Sequence, residues 1–165
     1  MPGRIPRPPD RSDLASSRTI LIAGAGHAAG QTIVSLRQGG YAGKLILVGE
    51  EPYLPYQRPP LSKKFLAGEL DVPRLLVRQE QFYVDHQVDV RLSTRVTAID
   101  RAARTATLST GNSVAWNKLV IATGSRVRKV SLPGAGLAGV HYLRNIEDVD
   151  RIRDDFRPGA KLVIV

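Results

Sequence analysis

Six residues, Gly24-Ala25-Gly26-His27-Ala28-Ala29, have types and spacing suited to receiving a pyrophosphate. They fit G-x-G-x-x-A. In that pattern the first glycine permits a turn with unusual dihedrals and the second lets a phosphate approach bare backbone. The third small residue allows a helix to pack closely on a strand. Gly24, Gly26 and Ala29 fill these positions. The free N–H groups of the following helical turn, with a dipole worth roughly half a positive charge, would face the diphosphate. Glu50 is the second chemical group, directly behind Leu47-Val48-Gly49. A carboxylate there accepts hydrogen bonds from both hydroxyls of an adenosine ribose and repels a 2′-phosphate. Glu51 is the adjacent competitor, and Glu50 is preferred on position. For either, the plain alternative is a solvated turn carboxylate.

The elements around a glycine pattern decide its meaning. Arg18-Thr19-Ile20-Leu21-Ile22-Ala23 and Lys44-Leu45-Ile46-Leu47-Val48 are short apolar runs, the style of buried parallel strands. Between them Ala28 to Gln38 suits a closely packed helix, stopped by Gly39-Gly40. Strand, helix and strand within about 30 residues make a βαβ unit. Gly134-Ala135-Gly136-Leu137-Ala138-Gly139 matches G-x-G-x-x-G better on letters, but it follows Pro133 and opens no long helix. It is expected to be a loop.

Further along, short helices are expected over Leu61 to Leu66 and Gln79 to Val84. Strands are expected over Val88–Arg91, Arg95–Ile99, Thr105–Leu108 and Ser113–Trp116, the last two flanking a Gly111-Asn112 hairpin turn. Lys118–Ala122 and Lys161–Val165 read as buried strands and Ile146–Phe156 as a charged amphipathic helix. Trp116 reads as packing, and Tyr53 and Tyr56 as turn residues that cover a cofactor's edge.

The 165 residues contain no cysteine, which removes disulfides and any dithiol relay. The net charge of +9 favours acidic partners. The basic residues are scattered and aromatics are only 5%, which argues against a nucleic-acid surface. No apolar run approaches the roughly 18 residues of a membrane span, so no membrane partner is expected and the location is expected to be cytoplasmic. His27, His86 and His141 lack metal-ligand spacing, so no metal site is expected. Residues 1–17, with four prolines among arginines and serines, read as a disordered tail.

Two further stretches carry a family likeness: Arg58-Pro59-Pro60-Leu61-Ser62-Lys63 and Leu119-Val120-Ile121-Ala122-Thr123-Gly124-Ser125-Arg126. With them the chain, from about Arg18 to Val165, resembles the FAD-dependent ferredoxin reductases of oxygenase systems, within the pyridine nucleotide-disulphide oxidoreductase superfamily. The first stretch is the specific motif; the second is shared by many two-dinucleotide flavoproteins. The resemblance implies an α/β, Rossmann-like FAD/NAD(P)-binding fold with a parallel sheet and a small antiparallel insertion, incomplete within these residues. It implies that the first glycine loop binds FAD, with contacts at Ala28, Glu50, Lys63, Val96 and Arg144. Arg58, Thr123 and Gly124 join them, and Lys63, near the flavin, is the catalytic candidate. Lys63 and Arg144 also read as ordinary surface cations.

The implied activity is NAD(P)H:ferredoxin oxidoreduction: hydride from NADH to FAD, then single electrons to an acidic iron–sulfur ferredoxin. Residues 18–144 are expected to be the first part of an FAD domain and 145–165 the start of an NAD domain, with most of the NADH site outside this chain. The isolated piece is expected to bind FAD weakly and to be inactive. The rivals are a related flavoprotein with another acceptor and a non-catalytic nucleotide-binding remnant.

Overall fold

The computed structural model describes residues 18–164; the expected tail over 1–17 and the end of the expected last strand, Val165, lie outside them. Two compact units result. Among the described residues, one takes 18–55 and Val77–Thr123, the other Tyr56–Leu76 and 124–164.

The first unit holds β1 (Thr19–Ala23), α1 (His27–Gln38) and β2 (Lys44–Val48). A four-residue α2 (Val72–Leu75) follows in the other unit, then α3 (Glu80–Asp85), β3 (Val88–Arg91), β4 (Val96–Asp100), β5 (Thr105–Leu108), β6 (Ser113–Ala115) and β7 (Lys118–Ile121). The expected βαβ unit is present: β1 and β2 pair in parallel, and among the described residues the sheet runs β3-β2-β1-β7, all parallel. β4, β5 and β6 form a separate antiparallel sheet. The expected hairpin is its β5-β6 half.

Alternation along β1 and β2 divides two cores. Ile20, Ile22, Leu45 and Leu47 pack with Ala29 and Ile33 of α1 and with Tyr83. Leu21, Ile46 and Val48 point the other way, onto Ala106, Leu108 and Val114 of the antiparallel sheet. The parallel sheet is therefore the middle layer, apolar on both faces, which explains why its strands read as continuous apolar runs. Burial pushes the Tyr83 phenol up to about 12. At the foot of the sheet Asn117 grips β1 twice: its Oδ1 accepts from the Thr19 N–H at 2.7 Å, and its N–H donates to the Thr19 carbonyl at 2.9 Å.

In the second unit Tyr56 bridges to Leu76, and the Gln57 N–H donates to the Leu75 carbonyl at 2.9 Å. α4 (Ile146–Asp155) opens with a capping box: Asn145 Oδ1 accepts from the Asp148 N–H at 2.8 Å, and Asp148 Oδ2 accepts from the Asn145 N–H at 3.0 Å. Arg153 of α4 lies over the Phe65 ring, 4.5 Å from its centroid, and donates to the Phe65 and Leu66 carbonyls.

Three expectations need correction. The helix over Leu61 to Leu66 is instead a 3-10 turn at Pro59–Ser62, followed by irregular turns to Gly68. Adjacent prolines lack N–H groups, so they suit a first turn. The strand over Lys161–Val165 is not formed at residues 161–164, which make no ladder, and Leu162, Val163 and Ile164 are exposed. A strand exists only through its partner, and none pairs here among the described residues. Tyr56 does not line an edge: it is buried, and the Arg58 guanidinium lies over its ring at 5.1 Å.

Candidate functional site

In the first unit, β1 ends at Ala23 and its carboxyl end turns sharply into α1. The Gly24 N–H donates to the Val48 carbonyl at 2.8 Å, and the Ala122 N–H to the Ala23 carbonyl at 2.8 Å, so the ends of β1, β2 and β7 are tied together. Gly24 has φ +106, and a Cβ there would stand 2.6 Å from the Ala122 carbonyl carbon and 2.8 Å from the Thr123 nitrogen. Only glycine fits that turn. Gly26 is the N-cap of α1 and is extended, with φ −84 and ψ −174; a Cβ there would meet nothing within 4 Å. Among the described residues no side chain caps the helix and no acid lies in its first turn, so no carboxylate of that turn competes for its N–H groups beside the open space at Gly26.

Ala28 and His27 are exposed on that first turn, whereas Ala29 is fully buried against the sheet. Gly30 is packed as closely: a Cβ there would come within 2.7 Å of the Pro55 Cβ. Its role is not visible from the loop pattern, because the neighbour is 25 positions away.

Glu50 lies two residues beyond the end of β2 and is exposed. Its Oε1 is paired with Arg95 Nη2, a partner that sequence reading did not single out. The Glu51 carbonyl accepts from the Ser93 N–H at 3.2 Å. Val96, next to Arg95, is half-buried and packs on the second core. Gly24, Gly26, Ala28, Ala29, Glu50, Val96 and Thr123 all belong to this unit.

Arg58, Lys63, Gly124 and Arg144 belong to the other. Arg58 Nη1 donates to the Arg144 carbonyl at 2.6 Å and to the Tyr56 hydroxyl at 3.1 Å, so one arm of its fork orders the unit itself. The Arg144 N–H donates to Asp148 Oδ2 at 2.8 Å, and its Nη2 would lie 3.2 Å from a Cβ on Gly124. Arg144 is thus fixed at both backbone groups and held against Gly124. Lys63 caps the 3-10 turn and is exposed. The glycine decoy at 134–139 is a run of turns with neither strand before it nor helix after it.

The adenosine diphosphate half of a dinucleotide fits what the first unit offers: an open cradle, an uncapped helix start and an exposed acid behind the neighbouring strand. The family profile described as "Pyridine nucleotide-disulphide oxidoreductase" matches residues 18–165. The chain belongs to that family. It is 42% identical over 150 residues to the probable ferredoxin reductase CtmF of Castellaniella defragrans, covering 91% of this chain and 37% of that protein. The ferredoxin reductase for the CYP199A2 system from Rhodopseudomonas palustris is 43% identical with a TM-score of 0.78, over 84% of this chain and 34% of the other. Putidaredoxin reductase, solved as a covalent complex with putidaredoxin, is 35% identical with a TM-score of 0.77, at the same two coverages. The chain spans about a third of the length of these relatives. As a member of this family it presents the α/β, Rossmann-like arrangement of a parallel sheet with a small antiparallel sheet. It contributes no cysteine to the chemistry that the family's description names.

Proposed function

We propose that this chain binds FAD, with the diphosphate over the start of α1 and the adenosine ribose on Glu50. We place it in an NAD(P)H-oxidising flavoprotein that reduces an acidic iron–sulfur ferredoxin. The open volume above Gly26, at an uncapped helix start between two parallel strands, carries this reading. Relatives described as ferredoxin reductases, one captured with putidaredoxin, support the activity and the partner. The chemistry that the flavin supplies when bound is hydride uptake from NADH and release of single electrons. The chain's own residues bind and orient: α1 N–H groups on the phosphates, Glu50 on the ribose and Val96 at the adenine end. Arg58, Lys63, Thr123, Gly124 and Arg144 are assigned to the same cofactor through the family likeness, with Lys63 as the cation serving the reduced flavin. Residues 18–144 are assigned to the FAD domain, 145–165 to the start of the NAD domain, and the setting to the cytoplasm.

The test is titration of the purified chain with FAD and with 5′-ADP, followed by flavin fluorescence and calorimetry. Saturable binding of both, weakened about tenfold or more by Glu50→Ala, is the expected result. Failure of either nucleotide to bind at millimolar concentration overturns the reading. Reduction of a panel of iron–sulfur proteins and quinones by the whole enzyme then identifies the acceptor.

A further inference from the structure

We propose that Arg95 is the positioning residue of the ribose site: it holds the Glu50 carboxylate for a 2′,3′-diol, and it becomes a 2′-phosphate receptor once that carboxylate is removed. This rests on the reading that Glu50 meets the adenosine ribose.

The pair joins residues 45 positions apart, yet the backbone builds it. Immediately before Glu50, the Gly49 carbonyl accepts from the Thr94 N–H at 2.7 Å; immediately after Thr94 comes Arg95. Thr94 is itself buried, and its Oγ1 donates to the Leu92 carbonyl at 2.9 Å. Arg95 is fastened on its other side too, its N–H donating to Ser109 Oγ at 3.0 Å and its carbonyl accepting from the Ser109 N–H at 2.8 Å. Two adjacent peptide units thus fix where each side chain starts, so the ion pair does not depend on two long side chains meeting by chance.

Its exposure separates a binding role from a stabilising one. The two side chains are 52% and 55% exposed, and an open pair of this kind contributes little to folding. What it does is narrow the orientations of a flexible carboxylate before a ligand arrives, which lowers the entropy lost on binding. The guanidinium is also a planar fork whose geometry matches a phosphate. While Glu50 is present, its charge engages that fork and repels a 2′-phosphate. Without Glu50 the fork remains, on a backbone position that Ser109 still anchors.

Calorimetry on this chain with 5′-ADP, 2′-deoxy-5′-ADP and 2′-phospho-5′-ADP tests the inference. Arg95→Ala is expected to weaken 5′-ADP about fivefold to tenfold while leaving 2′-deoxy-5′-ADP and the unfolding midpoint unchanged, so the preference for the intact ribose collapses. Arg95→Lys restores part of it. Glu50→Ala is expected to shift the balance toward 2′-phospho-5′-ADP by about tenfold or more, and the Glu50→Ala/Arg95→Ala pair removes that gain. An undiminished ribose preference in Arg95→Ala, an equal loss for both nucleotides, or a gain that survives in the double variant overturns the role of Arg95. Absence of any nucleotide binding by the unaltered chain instead overturns the reading of Glu50 itself.

Discussion

The two glycines of the loop do opposite work, and substitution separates them. Gly24 has a backbone that side chains avoid and no room for a Cβ beside Ala122 and Thr123. Gly24→Ala is expected to cost at least roughly 1–3 kcal/mol of stability, read as a lowered unfolding midpoint. Gly26 has ordinary dihedrals and empty space above it. Gly26→Ala is therefore expected to change stability by less than about 0.5 kcal/mol, while its methyl enters the volume assigned to the diphosphate and weakens 5′-ADP about tenfold or more. Equal loss of stability in both variants would contradict this division. Sequence pattern makes both glycines visible, because spacing encodes a turn. It does not reveal Arg95, whose partner lies on a different strand end, and it overrates Tyr56, whose aromatic ring near the R-P-P-L-S-K stretch turns inward under Arg58.

At the scale of elements, β3 is an edge strand that carries a charged cluster beside its backbone ladder to β2. Asp89 receives both Nε and Nη2 of Arg91, at 3.1 and 2.8 Å, and Lys44 of β2 approaches to 3.7 Å. The hydrogen bond from Arg91 holds the Asp89 carboxyl below the ordinary 3.8, against a partial burial that raises it. A depressed carboxyl stabilises the fold above its unfolded value and loses that contribution as pH falls through the folded one. Asp89→Asn is thus expected to cost roughly 0.5 kcal/mol near neutrality, the group being part-exposed. The gap between the two proteins should close as pH drops below 3.8, followed by chemical denaturation across pH. A gap that persists or widens in acid refutes this role. Elements with a strong period were legible: the βαβ unit from its apolar runs, the hairpin from Gly111-Asn112, and α4 from its amphipathic stripe. Short ones were not. α2 has only four residues with a proline in its first turn, too few for a period to show. The run at 161–164 has a strand's composition without a strand's partner among the described residues.

Across the whole molecule the excess of positive charge has a measurable consequence. With a net charge of +9 on this chain, docking to the acidic ferredoxin proposed above is expected to be steered by long-range attraction. Raising salt from about 0.1 to 1 M shortens the screening length from about 10 to 3 Å, so the association rate in stopped-flow should fall steeply; a rate indifferent to salt speaks against an acidic partner. The middle sheet poses a different whole-molecule problem. Both faces of β1 are apolar, so sliding it by one residue exchanges oil for oil and polarity offers little objection. Something other than greasiness must set its height. The double grip of Asn117 on Thr19 contributes from the far end, as the Gly24 and Ala122 N–H bonds do from the near one. A residue at the foot of the strand, remote from the candidate site, thereby helps to fix where the glycine turn emerges at the top.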